Sequence, residues 1–527
     1  MKNKKTTVKQ TSGQSPVSRE SWGSKLGIIL AVAGSAIGLG NFLRFPSLAA
    51  LNGGGAFMIP YLVALLIVGI PVMWIEWTVG RYGGGFGHGT APGIFHSIGN
   101  KNRFIKYFGV IGMFGPVVIF LYYCFIESWL LGFTFYSLTP GYAEAVKSGN
   151  IGAFFSDYIN VTTPFSPAYL FFVVTFVLNF LVLYFGINKG IENVSKIAMP
   201  LLLILGIIIV GRVLTLDMLH SPDFKWSVID GLGFMWNPDF SKLLSAKVWL
   251  AAAGQIFFTL SIGMGVIISY ASYLKKEDDV VLSGLTSAST NEFAEIVLGG
   301  SIIIPAAFAF FGPEKIIEVA AGGTFGLGFV TMPVILDKLP LSMFFAFAWF
   351  LLLFIAGITS SISMLQPAIA FCEDEFNTSK SKAVAIIGTA AFILMQPVIF
   401  FMGKGVIDEL DFWAGTFCLV VFGLFETIMF GWIFGIDKAW DEVHKGAQMK
   451  VPGVYKFIIK YITPLFLAVI LVTWFIQSGL PVIQMKGIAP ENQPYIIWTR
   501  AGLVVLFALL VLFVKLAWDK RKKEGRG

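Results

Sequence analysis

The sequence predicts an all-α protein that crosses a membrane about twelve times, and three observations point there. Of its 527 residues, 56% are hydrophobic and only 13% are charged, about half the charged share of an ordinary soluble domain. The apolar residues fall into separate runs, each long enough to cross a bilayer core. Lys and Arg gather in alternate connections between those runs, as the positive-inside rule requires of cytoplasmic loops. A soluble enzyme, a secreted protein and a single-anchor protein are excluded. The net charge of +7 therefore reads as membrane orientation rather than as attraction to nucleic acid.

The twelve runs cover residues 24–51, 55–80, 104–137, 166–185, 190–212, 246–273, 280–311, 343–371, 382–402, 412–435, 456–478 and 497–517. Arg81, Lys101, Arg103 and Lys106 follow the second run, Lys275 and Lys276 the sixth, and Lys380 and Lys382 the eighth. Lys438 and Lys445 follow the tenth, and Lys520, Arg521, Lys522 and Lys523 end the chain. An even number of crossings places both termini in the cytoplasm of a multi-pass cell-membrane protein, in agreement with the charges. Ala31-Val32-Ala33 mimics a leader-cleavage site, but the apolar run continues past it, so residues 1–22 are expected to be a cytoplasmic tail. Cys124, Cys372 and Cys418 lie in apolar stretches without CxxC spacing and read as packing residues, not a disulfide framework or zinc site.

Two runs are interrupted: Gly34 to Asn41 reads GSAIGLGN in the first, and Thr259 to Gly265 reads TLSIGMG in the sixth. They hold equivalent places if the first ten runs are two five-helix repeats, and five being odd, the second repeat must be inverted in the bilayer. The expected organisation is thus a first repeat at 23–213, an extracellular loop at 214–244, and an inverted repeat at 245–436. Helices 11 and 12 follow at 437–519, and a cytoplasmic tail at 520–527. Within the second repeat, about 312–341 is too polar and broken to span and is expected to form an outer lid loop with short helices.

A break inside a bilayer frees N–H and C=O groups where no water can meet them, each at a cost of several kcal/mol unless a partner or ligand does. Freed N–H groups suit a carboxylate and freed carbonyls a cation, so one break can hold both ends of a zwitterion. Glycines that merely permit close helix packing are the alternative. Two interruptions in register favour a binding site.

The stretch RESWGSKLGIILAVAGSAIGLGNFLRFP, Arg19 to Pro46, resembles the neurotransmitter:sodium symporter family, and within it the bacterial amino-acid transporters. The resemblance recurs at NGGGAFMIPY (Asn52 to Tyr61), YYCFIESW (Tyr122 to Trp129), GQIFFTLSIGMG (Gly254 to Gly265) and YASYLKK (Tyr270 to Lys276). It continues at NEFAE (Asn291 to Glu295), AGITSSISMLQP (Ala356 to Pro367) and DELDFWAGT (Asp408 to Thr416), covering essentially the whole chain from Arg19.

The resemblance implies sodium as the coupling ion, with two sites. The first would use the Ala36 carbonyl, the Asn41 and Asn291 side chains, Thr259 and the substrate's own carboxylate. The second would use the Gly34, Ile37 and Ala356 carbonyls with the Thr359 and Ser360 hydroxyls. Without the motif, Thr359 and Ser360 would read as ordinary interhelical glue. A substrate carboxylate would meet the Leu39 and Gly40 N–H groups and the Tyr123 hydroxyl, and its ammonium the carbonyls of Ala36, Phe258 and Thr259. Monoamine carriers of the family have Asp where this chain has Gly38, so here the ligand must bring its own carboxylate. Ile119, Tyr123, Phe258, Ser261, Met264, Ser360 and Met364 would line the side-chain pocket. Its two adaptable methionines point to neutral, mainly hydrophobic amino acids with some breadth; methionine as mere core filler is the alternative.

By the same resemblance, Glu295 stands where chloride-dependent relatives have Ser, near positions matching Tyr61 and Gln255. A fixed carboxylate there implies chloride-independent transport, with proton counter-movement through Glu295 left open and a purely structural pairing as the other reading. Arg44 and Asp411 would close the outer vestibule above Tyr123 and Phe258. Arg19 and Asp374, supported by Ser272 and Tyr273, would close the inner side. The partners implied are an amino acid, sodium ions and the lipid bilayer, not nucleic acid; a homodimer is left open. A substrate-sensing receptor on the same scaffold is the competing reading. An enzyme is not expected, because no nucleophile–base pair or phosphate loop accompanies Glu373, Asp374 and Glu375.

Overall fold

The computed structural model describes residues 20–99, 102, 104–219 and 223–525. Among them the chain is a helical bundle with no strand, only an isolated bridge between Gly54 and Pro238. By length and apolar composition alone, nine helices among the described residues qualify as membrane spans, and a bent pair makes ten. The bent pair is span 1, Lys25–Ala36 with Gly40–Leu51, whose halves meet at 49°. Gly55–Gly84 is span 2 and Ile105–Tyr136 span 3.

The next helical stretch, Pro167–Leu214, has 48 residues, and at 1.5 Å per residue it would be more than twice as long as a bilayer core is thick. Gly186, at φ +77°, turns the chain back, and Gly190 then packs against the Val182 carbonyl. The stretch is therefore two spans, span 4 (Pro167–Gly186) and span 5 (Asn193–Leu214). Span 6 also escapes a length criterion, because it is split into Ala246–Thr259 and Val266–Ala271. With both corrections the structure accommodates the twelve crossings expected from hydropathy. Spans 7 to 12 are Val281–Phe311, Ser342–Phe376, Lys380–Phe400, Val406–Ile433, Val454–Ile483 and Gln493–Lys523.

Local sequence explains the broken spans. Span 1 starts at Ser24, whose hydroxyl accepts the Gly27 N–H at 3.0 Å, and its first half stops at Ile37, whose backbone is extended. In span 6, Ser261, Gly263 and Gly265 all have positive φ (52°, 72° and 73°), incompatible with a continuing α-helix. Glycine is required at 263 and 265 on a second count. A Cβ there would lie 2.4 Å from the Leu419 and Gly112 carbonyl oxygens respectively.

Spans 1, 3, 6, 7 and 8 form the buried interior, while only 17% of the apolar window of span 11 and 22% of that of span 12 is covered by protein. The segment between spans 7 and 8 carries Ile316–Ala321 and a 15-residue apolar stretch, Gly323–Asp337. It caps one end of span 1: Ser47 donates to the Ala320 carbonyl at 2.8 Å, and Gly328 packs on Leu43. Residues 214–244, read from sequence as a loop, contain a helix, Val228–Trp236, seated on span 7 with Gly231 against Pro305. The cysteines are unbridged.

Candidate functional site

The two breaks meet each other. The Ser261 hydroxyl, in the unwound part of span 6, donates to the Ser35 carbonyl at 2.9 Å across 226 residues of sequence. The Gly263 N–H, freed by the break, donates to Glu76 Oε1 of span 2 at 2.9 Å, which removes one of the orphan groups that a bilayer would penalise.

At the first expected cation position, Asn41 of span 1, Thr259 of span 6 and Asn291 of span 7 form a closed polar cluster. The Asn41 amide donates to Thr259 Oγ1 at 3.0 Å and to Asn291 Oδ1 at 2.9 Å, and the Asn291 amide donates to Thr259 Oγ1 at 2.9 Å. Asn41 Oδ1 accepts the Gly38 N–H at 2.8 Å, pinning the break itself. Ala36 ends the first half of span 1 and is buried.

The second expected position is a convergence of neutral oxygens. Ser360 Oγ lies 3.0 Å from the Ala356 carbonyl, 3.4 Å from Gly34 and 3.5 Å from Ile37. Thr359 Oγ1 lies 3.3 Å from the same Ala356 carbonyl. Gly34 admits no side chain comfortably, since a Cβ would sit 3.2 Å from Thr359 Cβ and 3.1 Å from Met199 Sδ. A second tie, Ser35 Oγ to Ser363 Oγ at 2.7 Å, holds spans 1 and 8 together at this level. Carbonyl and hydroxyl oxygens without a formal charge suit a hard monovalent cation such as sodium. No group of three or more His, Cys, Asp or Glu side chains able to hold a metal occurs among the described residues.

The expected substrate residues surround the same region. A Cβ on Gly38 would lie 3.0 Å from the Tyr123 hydroxyl and 3.1 Å from Ser360 Oγ, so Gly38 faces both. Gly40 packs against the Phe258 ring, which a Cβ would meet at 2.6 Å, and the Tyr123 hydroxyl lies beside the Leu39 backbone. Ile119, Ser261, Met264 and Met364 are all buried within the bundle.

Glu295, wholly buried in span 7, receives three polar side chains. Thr259 donates to Oε2, Gln255 Nε2 lies 2.9 Å from Oε1, and the Tyr61 hydroxyl lies 3.0 Å from it. The same Tyr61 hydroxyl is 2.7 Å from Glu292 Oε2. Glu292 was not singled out from sequence, although an acidic residue in an apolar run was the available signal. A hydroxyl carries a single proton, so Tyr61 cannot donate to both carboxyls at once.

At one mouth of the bundle, the Arg44 guanidinium lies over the Phe258 ring, 4.9 Å from its centroid, while Asp411 accepts the Tyr122 hydroxyl at 2.6 Å. At the other mouth, Trp22 Nε1 donates to the Tyr270 carbonyl at 2.9 Å, and Gln366 donates to the Tyr273 hydroxyl at 3.1 Å. Ser272 Oγ caps the Ser269 carbonyl at 2.6 Å, and Asp374 lies near the end of span 8. Arg19, the expected partner of Asp374, lies outside the described residues.

Next to Asp374 is a cluster that sequence reading missed. Glu375, fully buried, pairs with His88 Nδ1 at 2.6 Å and with Arg521 of span 12 at 2.5 Å. His88 is buried in the connection between span 2 and a short helix, Ala91–Ile98, on which His96 sits.

A crystal structure of MhsT in complex with L-phenylalanine superposes with a TM-score of 0.74 at 30% identity, covering 86% of this chain and 99% of that one. An uncharacterized sodium-dependent transporter of Methanocaldococcus jannaschii is 32% identical over 508 residues, 94% of this chain and 98% of its own length. The sodium- and chloride-dependent glycine transporter 2 of Xenopus laevis is 26% identical over 90% of this chain and 66% of its own. The profile of the sodium:neurotransmitter symporter family matches residues 19–148 and 166–518. The chain belongs to the sodium:neurotransmitter symporter family.

Proposed function

We propose that the protein is a symporter that couples entry of two sodium ions to uptake of neutral, mainly hydrophobic amino acids, without chloride, by alternating access. The observation that carries this reading is the convergence of Gly34, Ile37, Ala356, Thr359 and Ser360 oxygens between the break of span 1 and span 8. A sodium ion there would staple the broken helix to span 8, and its departure would free the two to separate.

The second ion would bind among Asn41, Thr259 and Asn291. Thr259 also touches Glu295, so cation binding and the charge of Glu295 act on one hydroxyl. With a covalently attached carboxyl group at that place, the anion would be supplied by the protein. Gly38 supports an amino acid over a monoamine, because it offers no charge for an amine that lacks a carboxylate. The MhsT neighbour's phenylalanine ligand supports a hydrophobic side chain. Each sodium entering gains about 2.3 kcal/mol per 100 mV, so two supply about 4.6 kcal/mol, enough for roughly a thousandfold accumulation of a zwitterion.

The test is uptake of labelled amino acids into proteoliposomes under imposed sodium or potassium gradients. Sodium-driven accumulation that persists in gluconate is the expected result, and uptake indifferent to the sodium gradient would sink the proposal. Counterflow of labelled substrate separates a carrier from a receptor, which would show none.

A further inference from the structure

Span 10 ends in Gly431-Trp432-Ile433, the connection Phe434-Gly435-Ile436-Asp437-Lys438 follows it, and span 11 carries Lys456, Lys460 and Tyr461 in its first turns. Where the two spans face each other the structure has an open cavity of about 360 Å³, floored by Gly431 and Gly435 and walled by Trp432, Asp437, Lys438 and Lys460. Gly435 has φ +88°, a conformation that favours glycine, and a Cβ there would project into open space. Gly431 lets the two helices approach until its Cβ position lies 3.4 Å from Lys460 Cα.

The charge of the cavity is unbalanced. Asp437 pairs with Lys456 at 2.5 Å. No carboxylate lies within ion-pair distance of Lys438 or Lys460 among the described residues. Their ammonium groups rest instead on aromatic rings: Lys460 is 5.4 Å from the centroids of Trp432 and Tyr461, and Lys438 is 4.7 Å from that of Phe434. Ring stacking of this kind leaves N–H donors available. Trp432 is held in place by its indole N–H, which donates to the Lys460 carbonyl at 3.0 Å.

The position restricts the occupant. This is the end of the bundle where spans 2, 6 and 10 terminate, joined by Arg81, which donates to the Asp278 carbonyl at 2.6 Å and the Lys445 carbonyl at 2.7 Å. It is the end rich in Lys and Arg, the cytoplasmic one by the positive-inside rule. The flanking Trp432 of span 10 and Val454, Phe457 and Tyr461 of span 11 are exposed and apolar, and the rest of the protein barely covers span 11. A ligand here must meet two ammonium groups at headgroup depth and hydrocarbon a turn deeper. Lysines that snorkel beside an aromatic belt are common on membrane helices; the hollow between them is what makes this pair a site.

We infer that the cavity between spans 10 and 11 binds the phosphate headgroup of an anionic phospholipid between Lys438 and Lys460, with its acyl chains along Leu465 and Val469, which are exposed deeper on span 11. The bound lipid would bridge the two helices on the side facing the bilayer.

The test uses the full chain in nanodiscs of phosphatidylcholine doped with phosphatidylglycerol, with retained lipid counted by native mass spectrometry and thermal stability read in parallel. The expected result is preferential retention of phosphatidylglycerol, with the affinity ratio over phosphatidylcholine falling about fivefold for each lysine removed in K438Q, K460Q and the double variant. K486Q, which removes a lysine outside the cavity, should retain the wild-type ratio. Should the double variant fail to fold, the single variants carry the same reading. Inorganic phosphate at matched concentration should neither stabilise the protein nor displace the lipid. Equal retention of both lipids, an unchanged ratio in the lysine variants, or stabilisation by phosphate alone would overturn the inference.

Discussion

Thr259, the last residue of the first half of span 6, donates its hydroxyl to Glu295 while accepting amide hydrogens from both Asn41 and Asn291. One side chain thus joins the expected first sodium site to a buried carboxylate, and spans 1, 6 and 7 share it. Any cation that takes Thr259 Oγ1 as a ligand must compete with, or be compensated by, Glu295.

Substituting Glu295 therefore changes ion dependence rather than merely stability. The E295S protein is expected to take up substrate only when chloride is present, with apparent sodium affinity in gluconate reduced roughly tenfold, the size of one 1.4 kcal/mol interaction. Uptake by E295S that is as fast in gluconate as in chloride would remove the proposed role.

Gly38 is confined by Tyr123 and Ser360, at 3.0 and 3.1 Å from its Cβ position. In G38A the added methyl should fall where the substrate backbone is proposed to sit, weakening amino-acid binding by about tenfold, a cost within the range of overpacking. Scintillation-proximity binding in saturating sodium measures this directly; unchanged affinity would place the substrate elsewhere.

The Gly263 N–H has Glu76 as its acceptor, at 2.9 Å, in a part of span 6 that cannot offer a helical carbonyl. Removing the acceptor in E76A should cost about 1–3 kcal/mol, visible as a lower thermal midpoint in detergent. E76Q keeps a carbonyl oxygen in the same place and should recover most of the loss. If glutamine is as damaging as alanine, the contact is not what holds the break.

Arg521 reaches from span 12 to a carboxylate that has no exposure of its own. In R521A, Glu375 keeps only His88, and destabilisation of about 3 kcal/mol is expected for a buried pair broken on one side. Neutralising Glu375 as well, in R521A/E375Q, should restore part of that loss, since no uncompensated charge remains. Additive effects in this double-mutant cycle would show the pair to be uncoupled.

The residues proposed to bind were legible in the sequence to an unusual degree. Glycine clusters in two apolar runs reveal broken helices because glycine and exposed backbone are anomalous inside hydrocarbon, and the motif resemblance then attached Asn41, Thr259, Asn291, Thr359 and Ser360 to them. The span count followed from apolar length, even at Gly186 and in the split span 6, where helix length alone misleads. Beyond the pairings that the resemblance implied, relations between distant segments were not legible. Ser261 reaching the Ser35 carbonyl, Tyr61 reaching Glu292 in addition to Glu295, and Arg521 paired with Glu375 each join residues far apart in sequence. The helix at Val228–Trp236 was missed because its apolar face is satisfied by span 7 rather than by a pattern of its own. The physical reason is common to all of them. Hydrophobicity and backbone freedom are local properties that a residue carries wherever it lies, so the sequence determined which segments enter the membrane and where they break. Which polar group meets which depends on the rotation and depth of one apolar helix against another, and only the packed bundle decided that.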